Sequence, residues 1–108
     1  MRGDEPFILL RARVREEQGA FAGWFRSHHL REIRKIPGVT AVFWAETKGH
    51  TQLGIYCFQD AQAMQGAFGS PEAAYARGTW ARWGSVLEEF SVEMQFPLIP
   101  PTMTVSVN

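Results

Sequence analysis

Three histidines and one cysteine are the side chains in this chain best suited to chemistry near neutral pH. His29 leads them. It stands where a leucine would pack, in the run Phe21, Phe25, His29, Ile33, Ile36, whose spacing a helix gathers onto one apolar stripe. An imidazole there is either a hydrogen-bonded core group or an acid or base facing a pocket. His28 and Glu32 lie four apart on one flank of the same helix. They read as a base with its orienter, as metal ligands, or most plainly as a surface ion pair. A metal site needs more convergent ligands than one such pair, so no metal is expected. His50 falls in a predicted loop.

Cys57 sits in an apolar strand, with no helix N-terminus or adjacent base to lower its pKa. It reads as a buried, inert thiol. Phe25, Trp44, Tyr56, Trp80 and Trp83 are the candidates to line a pocket for a hydrophobic or aromatic ligand; core packing is the plainer account of them. The chain has no phosphate-cradling glycine loop, no Gly-x-Ser-x-Gly elbow and no Cys-x-x-Cys. That disfavours nucleotide binding, serine hydrolysis and structural zinc.

The elements that must position these side chains follow from periodicity. Phe7 to Val14 alternates as a strand, with Ile8, Leu10, Ala12 and Val14 on one face. A helix follows from Glu17 to Ile36 and stops at Pro37-Gly38. Val39 to Thr47 is a second strand, with Val39, Ala41, Phe43 and Ala45 on one face and Val42 and Trp44 on the other. Thr47 to His50 reads as a hairpin in which Gly49 supplies the unusual dihedrals. Thr51 to Phe58 is the third strand. Asp60 caps a short helix that Gly69 ends, and Ser70-Pro71-Glu72 opens another. That last helix carries the stripe Ala76, Trp80, Trp83, Leu87 and Phe90, with Gly78 and Gly84 expected to admit a close neighbour. Ser91 to Phe96 is the fourth strand. Arg11 and Arg13 either pair with Glu93 across strands, which is the plainer expectation, or meet an anionic substrate.

This order is β-α-β-β-α-β, an α+β, ferredoxin-like unit with a four-stranded antiparallel sheet. Two helices cover one face of such a sheet. The alternation is spoiled by Phe7, Leu9, Val42, Trp44, Tyr56 and Phe58, so both faces carry large apolar groups. A second copy packed on the uncovered face resolves this, and a homodimer is expected.

The chain here resembles the dimeric α/β barrel superfamily, and within it the EthD-type branch. In that branch an aromatic residue, a Trp or Tyr four residues on and a His four further precede a Pro-Gly turn. Phe21, Phe25, His29 and Pro37-Gly38 match that spacing, and the Ser70-Pro71-Glu72 opening is also similar. The resemblance spans roughly residues 7 to 97. It departs at Phe25, which lacks the polar ring atom of a Trp or Tyr. The resemblance implies a ligand pocket between helices and sheet. The superfamily includes cofactor-free monooxygenases of polycyclic phenols, muconolactone isomerases, some pairing His with Cys, polyketide cyclases and heme enzymes.

The 108 residues make one domain, with a core about 7–97 and a tail, 98–108, containing Pro100 and Pro101. Lys plus Arg and Asp plus Glu each number 11, for zero formal net charge, without the basic footprint of a nucleic-acid binder. One cysteine excludes an intrachain disulfide and suits a reducing compartment. No apolar run is long enough for a signal peptide or membrane span. The expectation is a cytoplasmic homodimer that needs no cofactor. It would act on a hydrophobic or aromatic ring compound as an oxygenase, isomerase or cyclase with His29 as acid or base. The alternative is a ligand-binding or accessory dimer without chemistry.

Overall fold

A computed structural model describes residues 5–97; the tail expected at 98–108 lies outside the described residues. Four strands form one antiparallel sheet in the order β2-β3-β1-β4. They are β1 (Phe7–Val14), β2 (Val39–Glu46), β3 (Gln52–Phe58) and β4 (Leu87–Gln95). Between β1 and β2 run α1 (Gln18–Trp24), a π-turn (Phe25–His29) and α2 (Leu30–Arg34). Between β3 and β4 run α3 (Ala61–Ala67), α4 (Pro71–Gly78) and a 3-10 turn (Thr79–Trp83). This is the expected α+β, ferredoxin-like unit.

The alternation in β1 is the spine of the fold. Ile8, Leu10, Ala12 and Val14 are buried under the helices, because successive strand side chains take opposite faces. Phe21, Phe25, Leu30, Ile33 and Ile36 come down onto them, and Phe58, Met64, Ala76 and Trp83 complete the core. Helix starts follow the capping chemistry: the Ala63 amide donates to Asp60 Oδ1 at 2.7 Å, and the Ala73 amide to Ser70 Oγ at 3.1 Å. The turn into β2 needs glycine. Gly38 has φ +90°, and a Cβ there would stand 2.9 Å from that of Ala63.

Five sequence expectations are corrected. Val39 faces the helices together with Val42, not with Ala41, because a β-bulge at Thr40 inserts one residue between the pairs Val39–Phe58 and Ala41–Cys57. The hairpin's left-handed residue is His50, φ 67°, rather than Gly49. The last helical segment ends at Trp83, so Leu87 and Phe90 belong to β4, which begins four residues early and pairs with β1 along its length. Gly78 and Gly84 admit no close neighbour: a Cβ on Gly78 meets nothing within 4 Å, and one on Gly84 meets only ordinary contact at 3.6 Å. The early start of β4 also moves the ion pair. Arg13 sits opposite Glu89, its Nε donates to Glu88 at 2.8 Å and its second arm lies 3.4 Å from Glu89; Glu93 is opposite Leu9 instead.

Candidate functional site

Between the sheet and the helical layer lies a cavity of about 380 Å³, within the ~300–1,000 Å³ range of small-molecule sites. Its walls are Ile8, Leu10, Tyr56, Phe58, Phe90 and Val92 from the sheet, His29, Ile33 and Ile36 from the first helical segment, and Ala67, Phe68, Ala73, Ala76, Arg77 and Trp80 from the second. Phe68, Phe90 and Val92 remain 40, 50 and 44% exposed, which marks the open side at the β4 edge. All but three lining residues are apolar, and those three are His29, Tyr56 and Arg77.

The helix that carries His29 to this wall is not α-helical there. Over Phe25–His29 the ladder widens, and the Leu30 amide donates to the carbonyl of Phe25, five residues back. The Ser27 hydroxyl supports the distortion by donating to the Gly23 carbonyl at 2.6 Å. The imidazole, 2% exposed, lies among Trp24, Phe25, Trp80 and Tyr56, with ring centroids 4.9 to 5.7 Å away. Its Nε2 stands 2.6 Å from the Tyr56 hydroxyl. Burial first, and then the neighbouring His28, lower its pKa from 6.5 to about 3. Burial also raises the Tyr56 phenol well above its ordinary value. Both groups are therefore neutral at physiological pH.

The pair is not saturated. His29 Nδ1 is buried without a hydrogen-bond partner among the described residues. A neutral imidazole has one N–H. With it on Nδ1, the tyrosine donates to Nε2 and Nδ1–H stays unpaired. With it on Nε2, the phenolic hydrogen and the bare Nδ1 stay unpaired. Either tautomer leaves hydrogen-bonding capacity in an otherwise oily cavity. Tyr56 itself is seated by Gly54: the tyrosine ring lies over that glycine, so that a Cβ there would overlap the ring and hydroxyl.

The other singled-out residues have different places. Trp80 lines the cavity, its ring steeply inclined to that of His29 with centroids 5.0 Å apart. Phe25 and Trp83 are fully buried behind the wall and do not line it. Trp44 lies near the Glu46 end of β2, its Nε1 donating to Gln52 Oε1 at 2.8 Å and the Arg26 guanidinium 5.4 Å over its ring. His28 stacks on Trp24 at 5.9 Å. Glu32 is 3.2 Å from Lys35 Nζ and 4.0 Å from Arg31 Nε, so lysine and arginine, not His28, are its ionic partners among the described residues. No group of three or more metal-ligating side chains occurs among the described residues. Cys57 is buried on the far side of the sheet opposite Phe7, and its thiol pKa is raised by burial and by Glu5. No described helix is long and apolar enough to cross a membrane. Two participants escaped the sequence reading. Gly54, a glycine inside a strand, carried a signal of close approach; Arg77, an arginine on a polar helix flank, carried none.

No protein-family model matches the sequence, and no curated protein matches it. Solved structures do match in fold. An EthD family protein from Bacillus halodurans is 15% identical, with TM-score 0.69 over 85% of this chain and 99% of that one. SnoaB, a cofactor-independent oxygenase from Streptomyces nogalater, is 13% identical, with TM-score 0.66 over 96% and 97% of the two chains. A monooxygenase of Streptomyces coelicolor, solved with the ligand nanaomycin D, is 15% identical, with TM-score 0.68 over 96% and 95%. At such identities the likeness establishes the fold, which is the one the sequence resemblance implied.

Proposed function

We propose that the cavity binds a small, largely apolar ring compound and that the chain oxygenates it with dioxygen and no cofactor. The observation that carries the reading is one neutral, unsaturated His29–Tyr56 pair in a cavity with otherwise apolar inner walls. A ring hydroxyl or carbonyl would dock on that pair, and the names of the structural neighbours point the same way. Substrate ionisation would pass a proton to His29, whose depressed pKa recovers as the substrate anion forms beside it. Dioxygen then gives one oxygen atom to the ring carbon and carries the other away as water, with the two hydrogens that carbon loses. His28 and Glu32 are weaker candidates for this role.

The test is oxygen uptake against quinone formation on a panel of anthrones. Uptake equal to product is expected, with His29→Phe lowering kcat about 100-fold or more. A second reading, binding without chemistry, is favoured by the low basicity of His29. Binding that survives His29→Phe, with no turnover by the unaltered chain, would decide for it. A wild type that neither binds nor turns over the panel overturns both.

We also propose that two copies pack through the outer sheet face. There Phe7, Leu9, Leu53, Ile55 and Phe43 form an apolar area, and Phe43 is 46% exposed. Light scattering at micromolar concentration should give twice the chain mass, and Phe43→Glu should halve it. A monomer mass for the unaltered chain refutes the pairing. A single cysteine, Cys57, fits a reducing, cytoplasmic setting.

A further inference from the structure

Arg77 contributes the sole charged group among the cavity's lining residues. It comes from the last turn of α4, next to Ala76, which is buried in the same wall. Its guanidinium is anchored at the rim, where one arm donates to the Phe68 carbonyl at 3.2 Å. A single backbone carbonyl occupies little of a group with five N–H donors. Among the described residues no carboxylate lies within ion-pair distance of it. Two other arginines on the helical layer are differently engaged, Arg26 over Trp44 and Arg82 over Trp83. Arg77 therefore stands at an apolar mouth, partly oriented and with its charge unanswered among the described residues.

The polar groups of this cavity thus form two separate sets. The inner set, His29 and Tyr56, is neutral and buried. The rim group is cationic and exposed. An apolar wall, with Ile8, Ile33 and Phe58 among its residues, lies with them. We propose that Arg77 is a specificity residue, and that the ligand is an aromatic or alicyclic ring compound bearing an anionic substituent, a carboxylate in the simplest case. That group would be held bidentately at the mouth while the opposite end carries the hydroxyl or carbonyl that meets His29 and Tyr56. The assignment rests on the cavity being the ligand site. It narrows the substrate class from hydrophobic rings to ring acids, and it fixes which end enters first.

Isothermal titration with three probes tests it: a hydroxynaphthoate with its two groups at opposite ends, its methyl ester, and naphthol. The carboxylate is expected to bind wild type more tightly than its ester. Arg77→Gln should weaken the carboxylate about three- to tenfold and leave the ester and naphthol unchanged. Arg77→Lys should keep part of the preference, since charge without the fork survives. Raising the salt concentration should shrink the carboxylate's advantage. If carboxylate and ester bind alike, and Arg77→Gln affects neither selectively, the assignment of Arg77 falls while the cavity remains the ligand site. If none of the probes binds, or binding persists when Ala76→Trp fills the cavity, the cavity reading falls and this one with it.

Discussion

Acidification from neutral pH to about pH 4 should destabilise the fold by about 3 kcal/mol through one side chain. In the folded chain burial and the neighbouring His28 hold His29 down to about 3, against 6.5 ordinarily. Between these values the unfolded imidazole takes up a proton that the folded one refuses. Unfolding is then coupled to proton uptake, and stability falls by about 1.4 kcal/mol per pH unit across that window. Above pH 6.5 both states are neutral and the contribution vanishes. Carboxylates titrate in the same range, so the informative quantity is a difference. Urea midpoints of wild type and His29→Phe, compared at neutral and acid pH, should diverge as pH falls, with the variant losing less. Parallel curves would mean that the imidazole is solvated. The same number bears on function: a group this reluctant to charge works as a hydrogen-bonding partner until a ligand anion arrives beside it.

Gly54→Ala should be the most damaging single methyl added near the site. The new Cβ would overlap the Tyr56 ring and hydroxyl, and the ring is too deeply buried to move freely. Overpacking costs about 1–3 kcal/mol. Swinging the tyrosine aside also strands both nitrogens of His29, adding about 1–3 kcal/mol. A loss of about 2–6 kcal/mol is expected, together with loss of ring-compound binding. The mechanism is separable by a double-mutant cycle. Tyr56→Ala should cost less in the Gly54→Ala background than alone, with a coupling of at least about 1 kcal/mol. Additive losses would show that the methyl acts elsewhere.

What could be read in the sequence was whatever a clean period announced. β1 alternates without interruption, and its buried set emerged residue by residue. The caps at Asp60 and Ser70 announced their helices for the same local reason. The misreadings of β2 and of the start of β4 share a cause. Leu87 and Phe90 are three apart, as are Val39 and Val42, and each pair shares a sheet face because a bulge separates its members. One extra residue turns the strand period of two into a spacing of three, which imitates a helix turn. In the site, His29 was legible because an imidazole interrupts an apolar stripe. The hydrogen bond to Tyr56 was not, since a contact between residues 27 apart depends on how helix and sheet are stacked. Trp83 and Phe25 failed to reach the cavity for a related reason: large aromatic rings in the second row of a wall look the same in sequence as those in the first.

The widened turn at Phe25–His29 affects how this chain is compared with others. A π-turn holds one residue more than the α-helical path between the same two ends. A relative whose helix lacks the surplus aligns correctly only if a one-residue gap is opened inside the helix, where alignment procedures penalise gaps most. Without that gap, every residue on one side of the turn is matched to its neighbour's counterpart, and His29 is paired with a position about 100° around the helix. Counting residues between aromatic landmarks is thus an unreliable guide across this turn, and superposed backbones are the proper basis for transferring a role to His29.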